Sequence, residues 1–271
     1  MTRILMLAAA VTLAACGGDK GDSGDTSATS ATNTTGTAGT AGATATVGEK
    51  SWNLSGMAVN LADFGASQAA EGLCATLADP TPIVAGDELE VISTGVVGAD
   101  GSFSFADIVT TSTIGLMVVI SDCADEGTVA PTATGITYDS YNALEEGGTL
   151  SDFVAFSLDN TAGLPGWQAG LEAQGYAGDL AVDGTLVAFV QDSAGAPVEG
   201  ATIVGPPEVT PYYFTGADFS GASTSAAAGS MALLPGGPIF AYECFADGYT
   251  FEPYLTGSLP GYIVLGRFVA N

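Results

Sequence analysis

The sequence predicts an all-β protein with two tandem β-sandwich domains, a partly helical connector between them and a disordered tether in front. Short runs of alternating β-branched and aromatic residues begin at Ser51, broken by Gly, Asp and Pro, and they are typical of sandwich strands. Gly, Ala, Thr and Val are abundant and long charged side chains are few, which favours strands over helices. The same order of features recurs after 128 residues, which indicates two copies of one module.

The composition excludes several classes of function. The chain has 271 residues, with 4 Lys or Arg, 30 Asp or Glu and no His, and its net charge is −26. Without His there is no Ser-His-Asp or Cys-His catalysis and no His-ligated zinc. Four basic residues are too few to neutralise a phosphate backbone, so nucleic acid is excluded as a partner. We therefore expect a non-enzymatic protein with no cofactor, and weak calcium binding by acidic loops is left open as an alternative.

Residues 1–15 have the pattern of an export signal. Arg3 is their only charged residue, and the apolar run of residues 4–11 is too short to span a bilayer. The run is followed by Leu13-Ala14-Ala15-Cys16. This junction resembles the lipobox of bacterial lipoproteins. The resemblance implies that the signal is cut before Cys16, that its thiol carries a diacylglycerol, and that the protein is anchored in a lipid bilayer. The alternative is an ordinary secretory signal that precedes a Cys by coincidence.

Cleavage before Cys16 would remove Arg3 and no acidic residue, which leaves three bases against 30 acids and a net charge of 3 − 30 = −27. Gly17, rather than Asp, follows the Cys. By resemblance to enteric lipoproteins, this favours sorting to the outer membrane.

Residues 16–48 are predicted to be the lipidated Cys and a disordered tether. Of the 32 residues from 17 to 48, 26 are Gly, Thr, Ala or Ser, and none is aromatic. Such a segment cannot bury enough apolar area to fold. Gly21-Asp22-Ser23-Gly24 matches the nucleophile motif of trypsin-like proteases, but without His it carries no catalysis. The tether is expected to hold the folded part clear of the membrane.

The first sandwich is predicted at 49–134. Five of its residues recur 128 positions later, namely Gly56, Glu71, Gly72, Gly101 and Ser102, as Gly184, Glu199, Gly200, Gly229 and Ser230. Asp100-Gly101 predicts a tight turn because both residues tolerate positive φ. The residues expected to line this core are Met57, Val59, Leu61, Phe103, Phe105, Val118 and Ile120.

The second sandwich is predicted at 181–271. Residues 186–204 contain a strand, a Ser193-Ala194-Gly195 turn, Pro197 at the start of the return and Gly200 at a bend. This order resembles the opening of a carboxypeptidase regulatory-like domain. The resemblance implies an immunoglobulin-like or transthyretin-like sandwich of about seven strands that is normally non-catalytic and serves as a stalk, assembly aid or ligand-binding appendage. Its expected core residues are Val187, Phe189, Val198, Ile203, Met231, Leu233 and Phe240.

Residues 135–180 are predicted to form the connector. Pro165 near the start and Gly175 at the end favour one short helix, with apolar residues at Trp167, Leu171 and Tyr176. We expect this helix to pack between the two sandwiches.

Three cysteines remain after lipidation, and an oxidising compartment favours one bridge and one free thiol. Cys74 and Cys123 both fall in the first sandwich and are expected to pair. Cys244 aligns with Cys123, but its partner position holds Thr202, so Cys244 is expected to stay free.

The candidate ligand-binding residues are Tyr212, Tyr213 and Phe214. They lie in a segment where the second copy departs from the family, and departures in loops often carry function. Exposed flat rings stack on sugars or anchor protein interfaces. The acidic chain favours a neutral glycan or an envelope protein as the partner. The leading hypothesis is a structural or binding role at the cell surface, and the alternative is a carbohydrate-binding module. The other interpretation of the rings is that they close the end of the second sandwich.

Overall fold

The computed structural model describes residues 50–271, except 64, 85, 86, 113, 125 and 217. The predicted signal, Cys16 and the tether lie outside the described residues. The described chain is mostly β, as predicted, and holds fifteen strands: β1 (Ser51–Asn60), β2 (Cys74–Asp79), β3 (Glu90–Val96), β4 (Ser102–Val109), β5 (Leu116–Ser121), β6 (Val129–Ala130), β7 (Thr132–Ile136), β8 (Gly148–Asp159), β9 (Thr185–Gln191), β10 (Thr202–Val204), β11 (Tyr212–Tyr213), β12 (Met231–Pro235), β13 (Phe240–Phe245), β14 (Tyr254–Thr256) and β15 (Ile263–Val269).

The helices of the same residues are few and short. They are α1 (Thr81–Val84), α2 (Tyr138–Asn142), α3 (Gly163–Ala173) and α4 (Leu180–Asp183), with one 3₁₀ turn at Ala226–Ala228. The helix predicted after Pro165 is confirmed as α3. In the described part of the chain, no helix combines the length and the apolar character that a membrane span requires.

The first sandwich is built from two layers of strands. One layer is the four-stranded sheet β4-β1-β8-β6, and the other is the run β7-β5-β2-β3. Residues alternate along β1, so that Trp52 and Leu54 face inward while their neighbours are half-buried. They meet Leu77 of β2 and Val118 of β5 in one apolar cluster. This core is closed on both faces by strands.

The second sandwich repeats the plan. Its first layer is the run β11-β12-β9-β15, and its second layer is the three-stranded sheet β10-β13-β14. Leu186 and Ala188 of β9 pack against Ile203 of β10 and Tyr242 of β13. In both sandwiches the first strand has an antiparallel neighbour on one side and a parallel neighbour on the other, β4 and β8 around β1, and β12 and β15 around β9. The repeat seen in the sequence is therefore also a repeat of strand pairing.

The two sandwiches are joined edge to edge. Strand β15 of the second pairs in parallel with β7 of the first, Ile263 with Thr132 and Leu265 with Thr134. The result is one eight-stranded sheet, β11-β12-β9-β15-β7-β5-β2-β3. The expectation of two modules that each keep a separate core is corrected here, because the second core also contains Met117 and Ala133 from the first half. Pairing removes two edge strands that would otherwise expose backbone hydrogen-bonding groups.

The predicted connector 135–180 needs a second correction. Residues 148–159 form β8, which pairs in parallel with β1 from Trp52 to Asn60 and is a strand of the first sandwich. Local sequence does not reveal this pairing because the two strands are almost a hundred residues apart. The helical linkage is therefore confined to α3 and α4.

A cluster that we call the seam cluster packs α3 against both sandwiches. It contains buried apolar residues of α3, of the first sandwich and of the outer face of the second, namely Leu61, Phe156, Leu158, Leu164, Trp167, Leu171, Val187, Met231, Leu233, Ile263 and Leu265. The outer face of β9 is therefore covered, which leaves the strand buried on both faces. The helix lies between the sandwiches as predicted.

Several predicted core positions face elsewhere. Met57 and Val59 are half-buried on the outer face of β1, and Trp52 and Leu54 take the inner positions. Leu61, Val187, Met231 and Leu233 are buried in the seam cluster rather than in either sandwich core. Phe240 is exposed. Strands covered on both faces carry apolar residues at consecutive positions, so alternation along the sequence does not identify their inner face.

Candidate functional site

The predicted ligand-binding rings lie on and after β11, at the edge of the eight-stranded sheet. Tyr212 pairs with Leu233 of β12 and is half-buried. Its ring packs edge-on against Tyr176, which follows α3, at a centroid distance of 6.2 Å. The Tyr176 hydroxyl donates to the Asp183 carboxylate at 2.9 Å, and desolvation by burial together with this bond raises its pKa. Tyr212 thus packs against the connector.

Tyr213 points to the other face and is part of the second core. Its ring is buried, and its hydroxyl oxygen accepts a hydrogen bond from the Ile203 backbone N–H at 2.9 Å. Burial raises the pKa of this phenol. Adjacent residues of a strand face opposite sides, so the alternation that turns Tyr212 outward turns Tyr213 into the core.

Phe214 returns to the side of α3. Its ring contacts Phe219 at 4.9 Å, and Phe219 contacts Trp167 of α3 edge-on at 6.0 Å. Phe219 is buried, and Phe214 is half-buried. The three predicted rings therefore do not form a coplanar exposed platform, and the geometry favours the interpretation that they close this end of the second sandwich. Glycan binding by Tyr212 and Phe214 stays a prediction.

The cysteines are arranged as predicted. Cys74 and Cys123 form a disulfide with a Cα–Cα distance of 4.9 Å, and Cys244 is free and buried. Burial raises the pKa of the Cys244 thiol to about 12. The thiol is thus uncharged at neutral pH, and a reactive Cys requires an accessible thiolate.

Asp159 and Glu146 are acidic side chains that serve local structure. Asp159 accepts hydrogen bonds from the backbone N–H groups of Thr161, Ala162 and Gly163 at the start of α3. Burial acts to raise the pKa of Asp159, but these bonds outweigh it and the net shift is downward. Glu146 accepts from the N–H and hydroxyl of Ser51. Among the residues that the structure describes, no group of three or more acidic or Cys side chains is placed to hold a metal ion.

One feature that the sequence did not predict is a pocket where the two sandwiches meet. The three-stranded layer of the second sandwich ends at β14, whereas the eight-stranded sheet beneath it continues to β7 and β5. The step between the layers leaves a pocket of about 210 Å³, which we call the seam pocket. Its lining includes Met117 of β5, Gly135 of β7 and Tyr254 of β14. No local motif marks it, because these residues are far apart along the chain.

Comparisons with known proteins identify no family. No protein-family model matches the chain, and no curated protein matches it. The carboxypeptidase regulatory-like resemblance therefore stays a prediction.

The structural neighbours are β-rich bacterial proteins, several of them pilins. The Bacillus anthracis TIE protein has 11% identity and a TM-score of 0.28, over 82% of this chain and 34% of that one, so this chain spans about a third of its length. A shaft pilin, SpaA of Lactobacillus rhamnosus GG, has 9% identity and a TM-score of 0.24, over 82% and 97% of the two chains. A streptococcal ancillary pilin has 10% identity and a TM-score of 0.25, over 82% and 63%. At such scores these neighbours carry no argument about this chain.

Proposed function

We propose that this chain is a lipid-anchored protein of the bacterial envelope, sorted to the outer membrane, which displays two fused transthyretin-like sandwiches in a non-enzymatic structural or binding role. The observation that carries the proposal is the Leu13-Ala14-Ala15-Cys16 junction directly after a short apolar run. The following small-residue segment supplies a spacer between the anchor and the folded part.

The folded part supports a structural role through its rigidity. The first sandwich carries a disulfide, which suits an oxidising compartment outside the cytoplasm. The described strands are paired across the junction of the sandwiches, so the two modules form a continuous sheet rather than flexibly linked units. The absence of His and the buried Cys244 support the non-enzymatic part of the proposal.

The anchor is tested by the variant Cys16→Ser. We expect wild type in the membrane fraction, with a mass at Cys16 increased by the lipid, and Cys16→Ser in the soluble fraction. Ser23→Ala, in the same small-residue segment, is the matched control and should stay with the membrane. Intact-mass analysis of the extracted protein measures the modification, and a freely soluble, unmodified wild type would contradict the proposal.

A further inference from the structure

The seam pocket is apolar and has the size of a small organic ligand. Its walls are formed by residues of both sandwiches, among them Ile83, Met117, Ile136, Ile239, Leu259 and Val264. The volume of about 210 Å³ exceeds an apolar cavity of roughly 150 Å³ that is sufficient to bind benzene. Binding sites for small molecules are commonly apolar concavities at domain junctions with a few polar groups that fix orientation.

Gly135 forms part of the floor. It lies on β7 opposite Met117 of β5, on the face that the second sandwich covers only in part. A Cβ built on Gly135 would meet only the Tyr254 hydroxyl, at 3.7 Å, which is ordinary contact. The space above Gly135 is therefore open, and a side chain added there would enter the pocket without disturbing the strand.

Thr137, Tyr138, Tyr254 and Thr256 bring hydroxyl groups to the lining, and the Tyr254 hydroxyl is the one that lies over Gly135. The Tyr254 ring is held edge-on against Phe268 at a centroid distance of 5.6 Å. Its hydroxyl has no hydrogen-bond partner among the described residues, whereas the buried hydroxyls of Tyr141, Tyr213 and Tyr242 are bonded to backbone groups. Desolvation raises the pKa of Tyr254 by more than the charge of Arg267 lowers it, so the phenol is neutral and able to donate.

The charge of the ligand follows from the lining. None of the residues that line the pocket is charged. Arg267, whose charge acts on the Tyr254 phenol, is exposed and lies outside the lining, so a charged ligand would lose its hydration without contacting a counter-ion, which is costly in an apolar site. The chain as a whole has a net charge of −26, which further disfavours an anion.

We propose that the seam pocket binds a small neutral apolar molecule, about the size of a monocyclic aromatic alcohol, whose single oxygen accepts a hydrogen bond from Tyr254. The proposal is independent of the lipid anchor, so either can fail alone. The probes are p-cresol and toluene, which differ by one hydroxyl group, and hexanoate as an anion. They are titrated into the full chain carrying Cys16→Ser, so that no detergent competes for the pocket.

When the pocket is unchanged, we expect p-cresol to bind about tenfold more tightly than toluene, because one net hydrogen bond contributes about that factor in affinity. We expect hexanoate not to bind. Tyr254→Phe should abolish the preference for p-cresol while toluene binding is kept. Gly135→Val should abolish binding of both aromatic probes by filling the space. Thr134→Val is the matched control: it lies on the same strand and faces the other layer, where its hydroxyl is buried without a partner, so binding should be unchanged.

Isothermal titration calorimetry measures the affinities, and thermal unfolding verifies that each variant is folded. Failure of both aromatic probes to bind would overturn the proposal, as would unchanged binding to folded Gly135→Val. Equal affinities of wild type for p-cresol and toluene would overturn the role of Tyr254. If Gly135→Val does not fold, the proposal is tested by Tyr254→Phe alone, which removes one oxygen and leaves the ring. An unchanged preference of this variant for p-cresol over toluene would then refute the proposal. A dimer in sedimentation, together with no binding of either aromatic probe, would also refute the proposal.

Discussion

The first layers of the two sandwiches repeat the same strand pairing, whereas their second layers differ. In the first sandwich, β3, β2, β5 and β7 give a broad second layer that covers β1 and its neighbours, and a disulfide ties β2 to the loop after β5. In the second, β10 and β14 have three residues each, and the layer stops short of the neighbouring strands. The first sandwich is closed by its own strands, whereas the second depends on residues of the first and leaves a pocket at the junction.

Strand register explains why only the first sandwich has a bridge. Cys74 pairs with Ser121, and the equivalent strands of the second sandwich pair Thr202 with Phe245. Cys123 is two residues beyond Ser121, so its counterpart is Asp247, two residues beyond Phe245, and not Cys244. Cys244 instead faces the second core opposite Ile203. The expected pairing was correct, but the alignment of Cys123 with Cys244 was three residues out of register.

The largest effect is expected from removing the bridge. Cys74→Ser should lower the free energy of unfolding by about 4 kcal/mol, since the bridge closes a loop with a sequence separation of 49 residues. Chemical denaturation measures this loss. Cys244→Ser removes a free thiol from the second core and serves as the comparison. We expect it to lower the free energy of unfolding by less than Cys74→Ser does. Equal losses for the two variants would show that the first sandwich does not depend on its bridge.

A somewhat smaller effect is expected at the junction. Leu171→Ala removes a fully buried side chain of α3 from the seam cluster and should cost about 3 kcal/mol. The chain has 2 Trp residues, and Trp52 lies in the first core whereas Trp167 lies in the seam cluster. Fluorescence of Trp52→Phe and Trp167→Phe variants therefore reports the two regions separately. The unfolding transitions of these two variants should coincide when residue 171 is Leu and should separate when Leu171→Ala is added. Coincident unfolding transitions in both cases would argue against independent regions.

The smallest effect is expected where α3 begins. Asp159→Asn should cost about 1 kcal/mol at neutral pH, because the carboxylate accepts the first backbone N–H groups of the helix. The folded-state pKa of Asp159 is lowered below the ordinary value of 3.8. Its contribution is therefore present above that value and lost as the pH falls through the lower folded pKa. The stability difference between wild type and Asp159→Asn should shrink to nothing in that acidic range, and a difference independent of pH would exclude the carboxylate as the cause.

Local signals in the sequence predicted the strands, α3 and the disulfide. The Asp100-Gly101 turn precedes β4, with Gly101 at a φ of 80° and the Gly98 N–H bonded to the Ser102 carbonyl. Each of these features depends on neighbouring residues or on the count of cysteines.

Features made by distant strands were not predictable in the same way. The sequence placed Met57 and Val59 in the first core because they alternate with polar residues, but Trp52 and Leu54 alternate equally well on the other face. The choice between faces is made by the second layer, because Leu77 of β2 and Val118 of β5 pack on the face that carries Trp52 and Leu54. The seam pocket likewise requires Gly135 and Tyr254 to meet across two layers, and no spacing along the chain indicates that contact.

The place of β15 in the sheet also affects the order in which parts of the protein fold. Its residues 263–269 follow all other described strands along the chain, yet they pair with β7 on one side and β9 on the other. Until they emerge, β7 and β9 each have one unpaired edge and the seam cluster lacks Ile263 and Leu265. Such long-range pairings form late and slowly. Under the proposed export as an unfolded chain, this topology delays closure of the junction between the sandwiches until β15 has been translocated.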